Sequence, residues 1–302
     1  MPWLLAAVLS YFFFAIVSLG DKYLLSGRPN PKIYVFYSGI LGALAVILAP
    51  FVGFFVPETS LILLCLFVGA IYIFSLLGIF EGLERFEASR IIPAIGGLSP
   101  FFVLVLGYFF SGGKEVFSFF HFLAFLPLII GTVLISLEPG KKIFSKGLGI
   151  SAISAFLLAL LFVLTKYVYL EVPFWTGFIW IRIGAFLTAL LFFFTKEVES
   201  EIFRRKFSFS RKTGVIFIAI QMAGALAFIL QNLAIDWAGV AYLPFVIALQ
   251  GVQYVFLFIS AILISFRFPK ILREKFSKKI FLQKIIAIFL ICAGLVSLVI
   301  TP

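Results

Sequence analysis

Charge is scarce in this chain. Only 12% of its 302 residues are Asp, Glu, Lys or Arg, against about a quarter in a soluble globular protein. Histidine occurs once and cysteine twice. Cys65 and Cys292 both lie inside apolar runs, so a disulfide framework is not expected, and no Cys/His grouping has zinc-ligand spacing. His121 has no nearby partner with which to form a metal site or a Ser-His-Asp triad. The phosphate-cradling GxxxxGK[ST] loop is missing, as are GxSxG and HExxH. ATP hydrolysis by this chain and the common hydrolytic chemistries are thereby left without residues to perform them. No enzyme activity and no cofactor are expected.

Apolar side chain is abundant instead. Hydrophobic residues make up 63% of the chain, and phenylalanine alone occurs 42 times. So little charge cannot cover that much apolar surface in water, which excludes a soluble fold and a disordered chain and leaves the bilayer as solvent. The net charge of +11 falls between the apolar segments and reads as a topology signal, not as a nucleic-acid footprint. The first twenty residues lack a basic start and an A-x-A site, and are expected to be a retained helix.

Ten long apolar segments are legible, at roughly 2–20, 33–55, 60–80, 88–110, 117–137, 147–165, 173–195, 214–235, 240–265 and 280–300. A transmembrane helix takes about 20 residues. Ten therefore fill the chain and leave no room for a separate soluble domain. Alternating ten-residue runs of barrel type are not present, so helix is the expected state throughout.

The second half echoes the first. An offset of 144 pairs Ser10 with Ser154, Lys22 with Lys166 and Pro29 with Pro173. An offset of 151 pairs Pro93 with Pro244, and one of 163 pairs Gly131 with Gly294. The expected fold is all-α and integral to the membrane, with ten transmembrane helices as two inverted five-helix repeats, 1–139 and 140–302. Five is odd, so the second repeat enters from the opposite face. This architecture places a solute site near the midplane, between the halves. Twenty of the 24 Lys and Arg residues fall in the odd-numbered connections. Positive-inside then puts those connections in the cytoplasm and both termini outside.

The stretch ERFEASRIIPAIGGLSPFFVLVLGYFF, with Pro100 at mid-depth, resembles the helix 3–4 element of the drug/metabolite transporter superfamily, in particular its EamA-type ten-helix members. LIIGTVLISL resembles that family's fifth helix. The likeness spans nearly the whole chain and rests chiefly on the 5 + 5 pattern. It implies a secondary transporter in the inner membrane, working by alternating access. Two features depart from the family pattern: the charges place the termini outside, and Ser99 stands where many members carry an aromatic residue.

The candidate cavity residues are the polar ones inside apolar segments. Arg182 lies about nine residues into segment 7, where a charge belongs to the protein interior or a water-filled cavity. It would clamp an anionic solute, or bond helix carbonyls, or snorkel outward. Gln221 and Asn232 share a helix face. Gln250 and Tyr254 stack four residues apart, with Gln253 beside them. These amides would bind a polar solute or tie helices together. Ser10 and Ser154 are repeat-related and are read as packing residues or as a pair across the pseudo-axis. Tyr11 would form a cavity wall. Ser99 and Pro100 map onto Gln250 and Gly251 at an offset of 151 and would form the opposite wall. Pro93, Pro100 and Pro244 would free carbonyls at depth. Lys22 and Lys166 are expected to snorkel at opposite faces, and Glu81, Glu84 and Glu87 to form a solvated turn. The expected function is secondary transport, by export or exchange, of small polar metabolites or amino acids; a flippase for a lipid-linked substrate is the alternative. The partners are a small-molecule solute and the bilayer, with a second copy of the chain as a candidate.

Overall fold

The computed structural model describes residues 1–25, 30–85, 88–113, 119–136, 145–204, 211–267 and 278–300. Among them every regular element is a helix. The elements are α1 (Pro2–Leu25), α2 (Pro31–Gly42), α3 (Thr59–Arg85), α4 (Ala88–Phe110), α5 (Phe119–Ser136), α6 (Ser145–Glu171), α7 (Phe174–Leu191), α8 (Lys196–Arg204), α9 (Arg211–Trp237), α10 (Leu243–Ala248), α11 (Gln250–Arg267) and α12 (Lys278–Ile300). Each of the ten apolar segments coincides with a helical stretch. Among the described residues, six stretches are long and apolar enough to cross a membrane: Pro31–Phe51, Thr59–Gly82, Gly149–Glu171, Phe174–Phe194, Ile218–Trp237 and Val240–Leu257. Pro2–Ser18, Ala94–Phe110 and Leu282–Gly294 are shorter apolar helices. Large side chains such as Phe51, Phe109, Phe194 and Phe289 stand exposed. In water these would be a liability; in lipid they are ordinary.

Two segments read as single helices are broken. Segment 2 leaves α geometry at Gly42 and continues as a 3-10 helix over Ala43–Phe51. Pro50 has no N–H to give and its ring crowds the carbonyl one turn back, so the α ladder is disfavoured there. Segment 9 begins with a 3-10 turn over Val240–Tyr242, runs through α10, and is interrupted at Leu249 before α11 begins. Pro244 sits in the first turn of α10. No intrahelical donor is needed at that position, so Pro244 starts a helix and does not break one at depth.

The helices pack across the two halves. α1 lies against α9 and α11, and α6 lies against α3 and α4. α2 meets α7, α4 meets α10, and α5 meets α12. At the contact of α3 with α7 the two backbones themselves come together. A Cβ on Gly184 would stand 2.6 Å from Leu66 Cα, and one on Gly69 would overlap the Ile181 carbonyl and the Ala185 nitrogen. The two glycines let the backbones touch, as small residues do in membrane bundles.

Contacts near helix ends always join connections of the same parity. Lys32 Nζ donates to Glu197 Oε1 at 2.7 Å, linking the start of α2 to α8. Trp3 packs on Tyr242, Trp180 Nε1 donates to the Phe55 carbonyl, and Gln283 Nε2 donates to the Leu134 carbonyl at 2.8 Å. The Lys32 ammonium holds the Glu197 carboxyl below the usual carboxylate range. A depressed carboxyl pKa makes the bridge complete at neutral pH and lost as pH falls through that lowered value. Replacing Lys32 and Glu197 by cysteine should let a short bis-maleimide cross-linker join the two positions, since a direct disulfide needs closer Cα atoms than a bridge between two long side chains does. Failure to cross-link in a folded protein would place the two connections apart.

Candidate functional site

Two polar groups lie among the packed helices. The first is built on α1, α4 and α11. Gln250 and Tyr254 lie one turn apart on α11, and both side chains rest on Gly96 of α4. A Cβ on Gly96 would stand 2.7 Å from Tyr254 Oη and 3.1 Å from Gln250 Oε1. Only glycine admits them this closely. Pro100 lies four residues beyond Gly96 in α4 and has no N–H, so the Gly96 carbonyl loses its helical donor. The residue on which the phenol and amide rest thus lacks the usual i+4 donor to its carbonyl. Tyr11 of α1 donates its hydroxyl to the Val246 carbonyl at 3.0 Å, three residues before the break at Leu249, and the Gln231 amide reaches the same phenol. Ser99 Oγ donates to the Ile95 carbonyl at 2.7 Å. Ile95 and Val246 are 151 residues apart, the sequence offset that pairs Pro93 with Pro244, and each of their carbonyls accepts a side-chain hydroxyl.

The second group surrounds Arg182. Its guanidinium carbon lies 3.6 Å from the Phe228 ring centroid, 4.8 Å from Tyr72 and 5.5 Å from Phe178. The residue is 7% exposed. Among the described residues it makes neither a hydrogen bond nor an ion pair. Cation–π attraction of about 0.5–2 kcal/mol favours the charge without satisfying any of its N–H donors. Arg182 therefore neither bonds helix carbonyls nor snorkels outward. Tyr169 lies within electrostatic reach of it, but the Tyr169 hydroxyl donates to Asn232 Oδ1 at 2.8 Å.

The other candidates are spread over several separate contacts. Asn232 also donates from Nδ2 to the Phe228 carbonyl at 2.9 Å, so both ends of its amide tie helices. Gln253 Nε2 donates to Ser18 Oγ at 3.0 Å and links α11 to α1. Ser10 bonds its own helix at the Ala7 carbonyl, whereas buried Ser154 lies against Gly78 of α3 without a hydrogen-bond partner. The two serines thus pack in different contacts and do not face each other. Gln221 is partly exposed on α9, ten residues from Gln231, the amide that does reach the first group. No hydrogen bond, ion pair or ring contact among the described residues joins Arg182 to the Gln250–Tyr254 pair; Phe228, which meets Arg182, and Gln231, which meets Tyr11, are neighbours three residues apart on α9. Lys166 is buried and donates to the Asp236 carbonyl at 2.7 Å, so it caps the end of α9 and does not snorkel. Arg85 and Glu81 form an exposed i,i+4 pair at 3.4 Å, as expected of a solvated turn. The side chains of Lys22, Glu87, Arg90, Pro93 and His121 lie outside the described residues.

Tyr72, Phe178 and Phe228 escaped the sequence reading because one aromatic among so many carries no signal. Gly96 carried no more signal than the other small residues before Pro100. Tyr169→Phe should lower stability by about 1–2 kcal/mol, since it leaves Asn232 Oδ1 buried without a donor. Thermal unfolding in detergent reads this directly, and an unchanged midpoint would mean that water replaces the phenol.

Residues 1–137 match the model of the EamA-like transporter family. Residues 1–137 are EamA-like. This agrees with membership of the drug/metabolite transporter superfamily. Beside this match stand the six helices, among the described residues, that are long and apolar enough to cross a membrane. EamA-type proteins are generally not enzymes. A solved structure described only as "Crystal structure of protein" is similar in fold, with a TM-score of 0.66 at 16% identity, covering 97% of this chain and 98% of that one. The shared fold therefore extends beyond the EamA-like residues and through the second half of the chain. No curated protein matches the sequence.

Proposed function

We propose that this EamA-like protein is a secondary transporter that exports or exchanges small polar metabolites or amino acids across the inner membrane by alternating access. Residues 1–139 and 140–302 are its two inverted five-helix repeats, spanning the membrane ten times. The helix contacts support this reading. Exchanging the halves takes α1 to α6, α2 to α7, α3 to α9, α4 to α10 and α11, and α5 to α12. Under that exchange the α1–α9 contact becomes α6–α3, and the α4–α6 contact becomes α1–α11. The α2–α7, α4–α10 and α5–α12 contacts map onto themselves, as they would about a two-fold axis. The same-parity contacts at helix ends fit a chain that crosses the membrane at every segment. The basic odd connections would face the cytoplasm.

One observation carries the site: Gln250 and Tyr254 of the interrupted ninth segment rest on Gly96, whose carbonyl Pro100 leaves without its helical donor. Broken helices whose backbone groups line a cavity are how transporters meet solutes at the midplane. A phenol, an amide and a carbonyl without its helical donor together suit a solute that both donates and accepts hydrogen bonds. The test is exchange in proteoliposomes with labelled amino acids and nucleosides. Saturable, protein-dependent exchange of at least one is expected; fluxes equal to those of empty vesicles for the whole panel would contradict the reading.

A further inference from the structure

We infer that Arg182 and the rings around it form a binding site for an organic monocarboxylate with an apolar or aromatic body. This inference rests on the transporter reading for its physiological sense, but its geometry stands alone. A guanidinium presents five N–H donors in one plane and cannot shed its charge. Here the residue as a whole is more than nine-tenths buried, it makes no hydrogen bond or ion pair among the described residues, and its nitrogens are not sealed from solvent. A protein that needed only to neutralise this arginine would supply a carboxylate or carbonyl. It supplies three rings instead.

Phe228 occupies a face of the guanidinium at 3.6 Å. Stacking uses the face and leaves the edge, where the N–H fork points, open to a planar bidentate acceptor. The edge faces α2 at Gly42, where a Cβ would stand 3.5 Å from Nη1. At this point α2 passes from α to 3-10 geometry. The surroundings also fix the class of anion. A single cation matches one negative charge, and a phosphate dianion would carry an uncompensated charge into a low-dielectric site. The amide of Asn232, which would otherwise receive a solute's ammonium group, is already spent on Tyr169 and Phe228. Tyr72 and Phe178 offer ring surface to the solute's apolar body.

The test uses phenylacetate, its uncharged isostere phenylacetamide, and inorganic phosphate. Purified full-length protein in detergent is melted with each, and proteoliposomes are assayed for counterflow of labelled phenylacetate. Phenylacetate should raise the melting temperature of the wild type, while the amide and phosphate should not. Arg182→Met should abolish the shift and lower phenylacetate counterflow by about tenfold or more, because a charge-assisted pair is lost. Arg182→Lys keeps the charge without the fork and should retain a fraction of the response. Equal shifts from acid and amide in the wild type overturn the inference, as does a phosphate shift matching that of phenylacetate, or an undiminished response in Arg182→Met. If Arg182→Met does not elute as a folded species, the wild-type comparison and Arg182→Lys decide. Protein that is stabilised by phenylacetate yet moves no solute would sink the transporter reading and keep this site. Protein that exchanges neutral solutes equally well with and without Arg182, and ignores phenylacetate, would do the reverse.

Discussion

Gln250→Ala and Tyr254→Phe are each expected to lower transport by roughly five- to 150-fold, while the protein stays folded in the membrane. Losing one buried polar contact to a solute costs about 1–3 kcal/mol, which converts to that range. The two residues rest on the same glycine, so their effects should not add. The double variant should be little worse than the poorer single one. Gly96→Ala is the complementary change: its Cβ would meet the phenol and amide at 2.7 and 3.1 Å and displace both. Initial rates of exchange, normalised to folded protein by size-exclusion area, read all four. Normal transport by Gln250→Ala, or failure only through unfolding, would misplace the site.

The largest effect on stability is expected at the contact of α3 with α7. Gly184→Val sets a side chain against the Leu66 backbone, where even a Cβ would stand 2.6 Å away. Backbone cannot move aside as a flexible side-chain end can, so the helices must separate. Overpacking typically costs about 1–3 kcal/mol, and the loss of this close approach adds to it. Gly69→Val should act alike, and the two together should cost less than their sum because either alone opens the contact. Gly107→Ala is the control, since a Cβ there meets nothing within 4 Å and Ala favours helix by up to about 1 kcal/mol. Detergent melting curves should fall sharply for the first two variants and hold or rise for the third. A Gly184→Val protein as stable as wild type would mean that α3 and α7 do not touch there.

How far the sequence was legible depends on how each feature is encoded. Long apolar runs have no other stable home than helices, so the segments were readable almost to their ends. The breaks were not. Pro244 looked like a helix breaker by type, yet position decides what a proline does, and this one falls in a first turn. Pro50, which accompanies the 3-10 stretch of segment 2, lies inside a run so apolar that periodicity alone gave no warning. In the candidate site, the four-residue spacing put Gln250 and Tyr254 on one face, but the offset of 151 aimed Gln250 at Ser99, whereas both side chains rest on Gly96. The structure does not bring Arg182 against those residues; the pattern gives position along a helix but not which neighbours a side chain meets. Asn232 and Lys166 were uncommon polar residues in apolar runs, and the sequence could not show that Tyr169 and the Asp236 carbonyl had already claimed them.

The central claim is that Gln250 lines a solute pathway open to water from within the membrane. It is tested most directly by Gln250→Cys in a background with Cys65 and Cys292 replaced. Oriented vesicles are treated with a membrane-impermeant maleimide from either side, with Phe289→Cys, on the exposed apolar face of α12, as the lipid-facing control. The account predicts that position 250 is labelled from an aqueous side, that a transported solute lowers the rate, and that position 289 stays unlabelled. A cysteine at 250 that reacts no faster than one at 289, from either side and with or without solute, would contradict it.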